Sequence, residues 1–312
     1  DPGKEVLAKY KGFLKGMMDL RAGLSSTKDA KKVLELIQSV KTPEALEELG
    51  IKLTAVGEWA HGTHVAGLLL ADLPKAELAI FRSAWAGEAR LYHERGPTDE
   101  ELAVERKNVE DVAKFINQHG IRVVNVSLGF SMDYVEDALR HEGDKYATAA
   151  DVKARAEKIQ EARRATWKHV FSSCPNTLFV VAAGNANRDI LEYADTPADL
   201  DLPNVLVIGA VDENGDWAPF TNSNPERVRV FDHGVAVMSL IPSGEKVPLS
   251  GTSMAAPNAA NAAAKVLSLA PNLEPAAVKA LLEKTGDPIA APFNGVIINE
   301  KKALEAAAAG AK

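Results

Sequence analysis

Three short stretches hold side chains whose types and spacing could do chemistry. In "EWAHGTHVAG", residues 58–67, His61 and His64 stand three apart with Gly62 and Thr63 between them. A helical pair of zinc ligands is more often spaced by four, with a Glu between and a third ligand elsewhere, which leaves acid–base work or plain packing as the better readings. In "SGTSMAAPNAA", residues 250–260, Ser253 precedes a run of small residues that can only be a close-packed helix. A serine there meets the oriented N–H groups of a helix N-terminus, which favour a nucleophile and can bind a developing oxyanion; the same serine can also be a simple helix cap. In "VVAAGN" an apolar strand ends in Gly184 and Asn185. A carboxamide at the carboxyl end of a strand points into the crevice where open α/β sheets bind ligands and can donate to an oxyanion, although Asn and Gly also close strands as ordinary turns.

The elements that must position these residues follow from the hydrophobic pattern. The first 55 residues read as helices: Val6, Tyr10, Phe13, Leu14, Met17 and Met18 recur at helical spacing, and "TKDAKKVLELIQSV" follows with Thr27 as its cap. "KTPEALEELG" reads as a short third helix, with Thr42 as cap, Pro43 at the first helical position and Gly50 just past the end. From residue 77 short apolar runs alternate with helical patterns. "ELAIFRSA" is the first run, read as a strand; "ELAVERKNVEDVAKFINQHG" places Val109, Val112, Ala113 and Ile116 on one helical face and stops at Gly120; "IRVVNVSLG" follows as a buried strand, so that strand, helix and strand make a crossover unit. "TLFVVAAGN" and "NVLVIGAV" are continuous apolar strands of the kind found in a parallel sheet covered on both faces. The polar helical stretch near 133–171 reads as an insertion, and the C-terminal part as an Ala-rich helix followed by an amphipathic one.

Composition bounds the function. The 312 residues suffice for one large domain, or one domain with insertions, and are 46% apolar and 25% charged. A formal charge of -7 argues against a nucleic-acid binder that depends on a basic face. The longest apolar runs fall far short of the roughly 20 residues a spanning helix needs, so no membrane segment is expected. A single cysteine, Cys174, excludes an internal disulfide framework and any Cys-based zinc cage. The chain starts at Asp1 without an initiator Met or a basic-then-apolar leader, which reads as a processed form or an excised fragment.

Taken together the three stretches resemble the subtilisin-like serine proteases, the subtilases. "HGTHVAG" is similar to the family's histidine motif, "GTSMAAP" to its serine motif and "AAGN" to its oxyanion asparagine, in the family's chain order, and the likeness runs over roughly residues 55–290. The resemblance implies a three-layer α/β fold with a mainly parallel central sheet covered by helices on both faces, plus helical insertions. It divides the chain into a helical segment or insertion over 1–55 and a catalytic domain over 56–312. His61 would be the general base, Ser253 the nucleophile, and Asn185 with the Ser253 N–H the oxyanion donors. Ser127, Leu128 and Gly129 would form one wall of the substrate pocket, with Phe130 placed to narrow it, and Ala182, Ala183 and Gly184 the other. His64, one turn along the helix that the motif opens, would pack and hydrogen-bond. Pro257 would be tolerated in the first turn of the serine helix, whose donors lack intrahelical partners.

The expected function is therefore serine endopeptidase. The substrate is a polypeptide, the location secreted or periplasmic, with neither nucleic acid nor membrane as partner, and the oligomeric state is open. No cofactor is implied; calcium sites vary within the family, and no acidic loop here has ligand spacing distinctive enough to assign one. The family's triad aspartate, in an Asp-Ser/Thr-Gly motif before the histidine, has no counterpart. Asp1, in "DPG", is a weak candidate; a strand upstream of these residues is the better one, while Asp19 and Glu58 are acids near in sequence, Glu58 being better placed to line a subsite. The missing acid supports a second reading, a pseudoprotease or binding scaffold, and the serine machinery would also serve an ester or other amide. "PNAAN" and "FDHG" depart from the family's usual residues around the serine strand, which marks a divergent member.

Overall fold

The two continuous apolar runs fold as neighbouring strands at the centre of one sheet. The computed structural model describes residues 2–21, 23–81, 96–142, 145–289 and 294–310. In β2 (Leu178–Ala182) and β3 (Val205–Val211) every residue is buried, because alternate side chains enter two separate cores. Leu178, Val180 and Ala182 face one layer, Phe179, Val181 and Ala183 the other. The sheet also contains β1 (Val123–Val126), β4 (Val230–His233), β7 (Asp287–Pro288) and β8 (Val296–Ile297), in the order β1-β2-β3-β4-β8-β7. All neighbours are parallel except β7 and β8. A separate antiparallel hairpin joins β5 (Val237–Leu240) to β6 (Lys246–Leu249).

Helices cover both faces, giving the expected three layers. On one side lie α8 (Thr252–Leu269), α9 (Pro275–Thr285) and α10 (Glu300–Gly310), and the buried Ala255, Ala256, Ala259, Ala260 and Ala263 let α8 approach the strands closely. On the other side lie α5 (Asp99–His119) and α7 (Ala149–Ser173), through Ala113, Ile116, Val170 and Phe171. α5 begins with a capping box between Thr98 and Glu101 and stops at Gly120, whose φ of 59° closes the helix. The helical stretch near 133–171 is two helices, α6 (Met132–Arg140) and α7, and α7 is the crossover that joins β1 to β2.

The N-terminal residues form α1 (Lys4–Tyr10), a 3₁₀ turn (Lys11–Phe13), α2 (Leu14–Arg21), α3 (Lys28–Ser39) and α4 (Pro43–Leu69). Thr27 and Thr42 cap α3 and α4 as their spacing predicts, accepting the N–H of Ala30 and Ala45. Gly50, however, does not end α4, a helix of 27 residues that continues through both histidines. Leu49, Leu53, Val56, Ala60, His64 and Leu68 continue one buried stripe past the glycine, and that burial outweighs the roughly 1 kcal/mol cost of a helical Gly. The stripe joins Tyr10, Leu14, Met17, Met18 and Val33 in a core shared with Ile241 and Leu249 of the hairpin region and with Met254 of α8.

A second departure concerns "ELAIFRSA". Residues 77–81 carry no strand, and 82–84 lie outside the described residues. An apolar run becomes a strand only where another strand takes its hydrogen bonds, and among the described residues β1 pairs with β2 alone. Phe81 instead packs edge-on against Phe115 of α5, at 5.5 Å between ring centroids. Among the described residues no helix is long and apolar enough to cross a membrane.

Candidate active site

The first turn of α8 carries Ser253, half-buried, immediately after Gly251 and Thr252. Gly251 holds a φ of 147°, a conformation that L side chains rarely adopt, and thereby swings the chain from the hairpin into the helix. Asn185 is fastened to this turn. Its Oδ1 accepts both the Thr252 N–H (2.8 Å) and the Thr252 hydroxyl (3.0 Å), while Thr252 Oγ1 accepts the Gly184 N–H (3.0 Å). Two donors on the oxygen fix the carboxamide's orientation and leave its own donor hydrogens on Nδ2. Thr252, to which the motifs alone assign no role, is therefore the residue that aligns Asn185 with Ser253.

Pro257 sits further along than the first turn. It is the sixth residue of α8, where an N–H would normally bond the carbonyl of Ser253 four residues back. Proline removes that donor, and Ser127 replaces it: its Oγ donates to the Ser253 carbonyl at 2.9 Å while accepting from Asn125 Nδ2 at 2.9 Å. The expected pocket wall is thus tied to the backbone of Ser253. Ser127–Gly129 leave the carboxyl end of β1, and Ala183 and Gly184 that of β2, so both proposed walls rise from the same end of adjacent parallel strands. Ala182 and Ala183 are buried, Ser127, Leu128 and Gly184 half-buried and Gly129 exposed.

The histidines lie on α4, which packs on α8; Ala60 and Met254, the neighbours of His61 and Ser253, are buried in one cluster. The motif therefore sits in the middle of a helix rather than opening one. His61 is half-buried and His64 fully buried. The His64 ring meets the Val247 carbonyl through Nε2 at 3.0 Å, its own carbonyl accepts the Ser239 hydroxyl at 2.8 Å, and burial lowers its pKa. It clamps α4 to the hairpin. Gly67 allows that approach, since a Cβ there would stand 2.4 Å from Ser239 Oγ.

The acids near in sequence differ in their surroundings. Asp19 is buried and already holds the Thr27 hydroxyl (2.7 Å) and Lys15 Nζ (3.1 Å). Glu58 is exposed, one turn before His61. Asp1 lies outside the described residues. Two buried acids that no motif pointed to are Asp195, pushed up to about 6 by burial against the pull of Arg188, and Asp232 on β4, pushed up to about 7 by burial. Among the described residues no three His, Cys, Asp or Glu side chains gather to hold a metal.

The model of the "Subtilase family" matches residues 48–305, leaving α1–α3 outside the match. Subtilisin DY of Bacillus licheniformis is 30% identical over 230 residues, 72% of this chain and 69% of its own length. The cell wall-associated protease of Bacillus subtilis (strain 168) is 26% identical over 93% of this chain, which spans only 27% of that protein. Two solved structures share the fold: a lanthipeptide protease (TM-score 0.56, 16% identity, covering 79% of this chain and 75% of its own) and a cold adapted subtilisin-like serine proteinase (0.52, 20%, 77% and 74%). With the motifs in order, the serine turn joined to its asparagine and a family match over most of its length, the chain belongs to the subtilase family, the subtilisin-like serine endopeptidases.

Proposed function

We propose that the protein cleaves polypeptides by an acyl-enzyme mechanism with Ser253 as nucleophile, His61 as general base and Asn185 as oxyanion donor. Ser253 Oγ attacks the peptide carbonyl as its proton passes to His61; the carbonyl oxygen, now an oxyanion, is met by Asn185 Nδ2 and the Ser253 N–H. Collapse breaks the C–N bond, and His61 returns the proton to the leaving amine. Water, deprotonated by His61, then attacks the acyl-serine and regenerates the hydroxyl. The observation that carries this reading is the double hold of Thr252 on Asn185 Oδ1, which presents the carboxamide N–H₂ beside the Ser253 turn.

For the third member, we infer a strand supplied from outside the described residues, among which β1 pairs with β2 alone. Such a strand would pair with Val123–Val126, and its carboxyl end would lie at the end of the sheet where Ser127 and Asn185 emerge. The competing reading, a scaffold that binds without cleaving, rests on the missing acid alone. A secreted or periplasmic location accompanies the enzyme reading.

Labelling the full-length protein with a fluorophosphonate tests it. An adduct on Ser253 that disappears in Ser253→Ala, together with casein turnover, is the expected result. A full-length protein whose Ser253 stays unlabelled overturns the enzyme and leaves the scaffold.

A further inference from the structure

The two proposed pocket walls leave the sheet from adjacent strands, and one buried carboxylate ties together the loops into which they continue. Asp195 lies in a segment that pairs with the end of the first wall: Phe130 N–H donates to Thr196 O (2.7 Å), Thr196 N–H to Phe130 O (3.0 Å) and Met132 N–H to Tyr193 O (3.1 Å). Gln160 of α7 straps the same pair, its Nε2 donating to the carbonyls of Phe130 and Ala194.

The Asp195 carboxylate reaches both sides. Oδ1 accepts Arg188 Nη2 at 2.8 Å and Oδ2 accepts Arg188 Nε at 3.3 Å, and the same guanidinium bonds Asp133, three residues beyond Phe130. Oδ2 also accepts Asn222 Nδ2 at 2.8 Å. Asn222 belongs to the second wall: its N–H donates to Gly184 O (2.9 Å) and its Oδ1 accepts the Ala186 N–H (2.8 Å). Gly184 has no room for a side chain here, since a Cβ would stand 2.3 Å from Asn222 Nδ2. Oδ2 is shared by Arg188 Nε and Asn222 Nδ2 while Oδ1 takes Arg188 Nη2, so all three donors are met only by a group with two acceptor oxygens. Asn185 itself is anchored separately, by Thr252.

We propose that Asp195 is a positioning residue that fixes the separation of the pocket walls at 127–130 and 182–184, and thereby the grip on the substrate side chain preceding the scissile bond. This rests on the cleft assigned above. A carboxamide at position 195 would set an N–H₂ against Arg188 in either orientation, and against Asn222 as well in one of them, donors facing donors, and loosen one wall from the other.

The test is protection of Ser253 from fluorophosphonate by the peptide succinyl-Ala-Ala-Pro-Phe in the full-length protein. Asp195→Asn should raise the half-protecting concentration at least about tenfold, the size expected when a buried charge-assisted bond is mismatched, with a smaller change in labelling by the small reagent. Asp133→Asn, at the exposed end of the network, should raise it less, and Asp232→Asn, two strands away, not at all. Unchanged protection in Asp195→Asn, or equal losses of labelling and protection, overturns the proposal. Should Asp195→Asn not fold, Asp133→Asn and Arg188→Lys decide, and unchanged protection in both overturns it. A wild-type protein that labels but gains no protection from the peptide overturns this proposal alone; one that never labels overturns the cleavage reading with it.

Discussion

The hydroxyl of Ser127 stands where the backbone N–H of residue 257 would have been, donating at 2.9 Å to the carbonyl of Ser253. A helix interrupted by proline one turn after Ser253 keeps that carbonyl bonded because Ser127, just beyond β1, supplies the missing donor. Ser127→Ala should therefore cost about 1–2 kcal/mol in urea unfolding, the size of an unsatisfied half-buried acceptor. In a Pro257→Ala background, where residue 257 regains its N–H, the same change should cost distinctly less. Equal costs in the two backgrounds would sever the link between the two residues.

Asn185→Asp separates anchoring from catalysis. The new carboxylate can still accept from Thr252 N–H and Oγ1, but it has no N–H₂ for an oxyanion. Peptidase kcat should fall by roughly 10² to 10³, the loss measured when the corresponding donor was removed from subtilisin, with KM nearly unchanged. Steady-state kinetics would check this, and a loss confined to KM would remove Asn185 from the oxyanion role.

Asp232 gives the protein a signature in its pH–stability profile. Burial holds the carboxyl up to about 7, with Glu300 adding to the effect and the His233 N–H, at 2.7 Å, opposing it. Between about 4, where an unfolded aspartate ionises, and 7, the folded protein keeps a proton that the unfolded chain has lost. Stability from this group is thus highest at acid pH, falls as pH rises through that window and levels off above it. Asp232→Asn should match wild type near pH 4 and exceed it at pH 8 by on the order of 1–3 kcal/mol in urea unfolding. A variant less stable than wild type at pH 8 would show that the carboxylate is satisfied there.

Gly50→Ala should stabilise by about 0.5–1 kcal/mol. The glycine is exposed inside α4, and a Cβ there meets nothing within 4 Å, so only helix propensity changes. Thermal unfolding reads the shift directly, and a destabilised variant would count against a continuous helix at this point.

Local signals were legible wherever the physics is local. Thr27, Thr42 and Gly120 end or begin helices through bonds to residues at most four positions away, and β2 and β3 announce their two-sided burial as unbroken apolar runs. Gly50 misled because a stop signal holds only when no buried stripe continues beyond it: here the stripe does continue, and it finds its core among residues 10–33, far away in sequence. The expected strand at 77–84 failed over its described part for a related reason, since a strand needs a neighbour that no local pattern reports. In the site, Ser253 and Asn185 belong to recognisable motifs. Asp195, Arg188 and Asn222 do not, being ordinary loop residues whose meeting across 27 and 7 positions only the fold arranges.

α4 has one more consequence. A helix of 27 residues is about 40 Å of nearly rigid rod. Its early part is rooted among Tyr10, Leu14, Met17 and Val33, and His61 rides in its second half. A histidine at the start of its own helix would be insulated from distant parts by a flexible loop. Here a tilt imposed at the N-terminal helices would travel along the rod to the imidazole, so removing or engaging residues far from His61 would shift its ring like a tuning peg at the far end of a string.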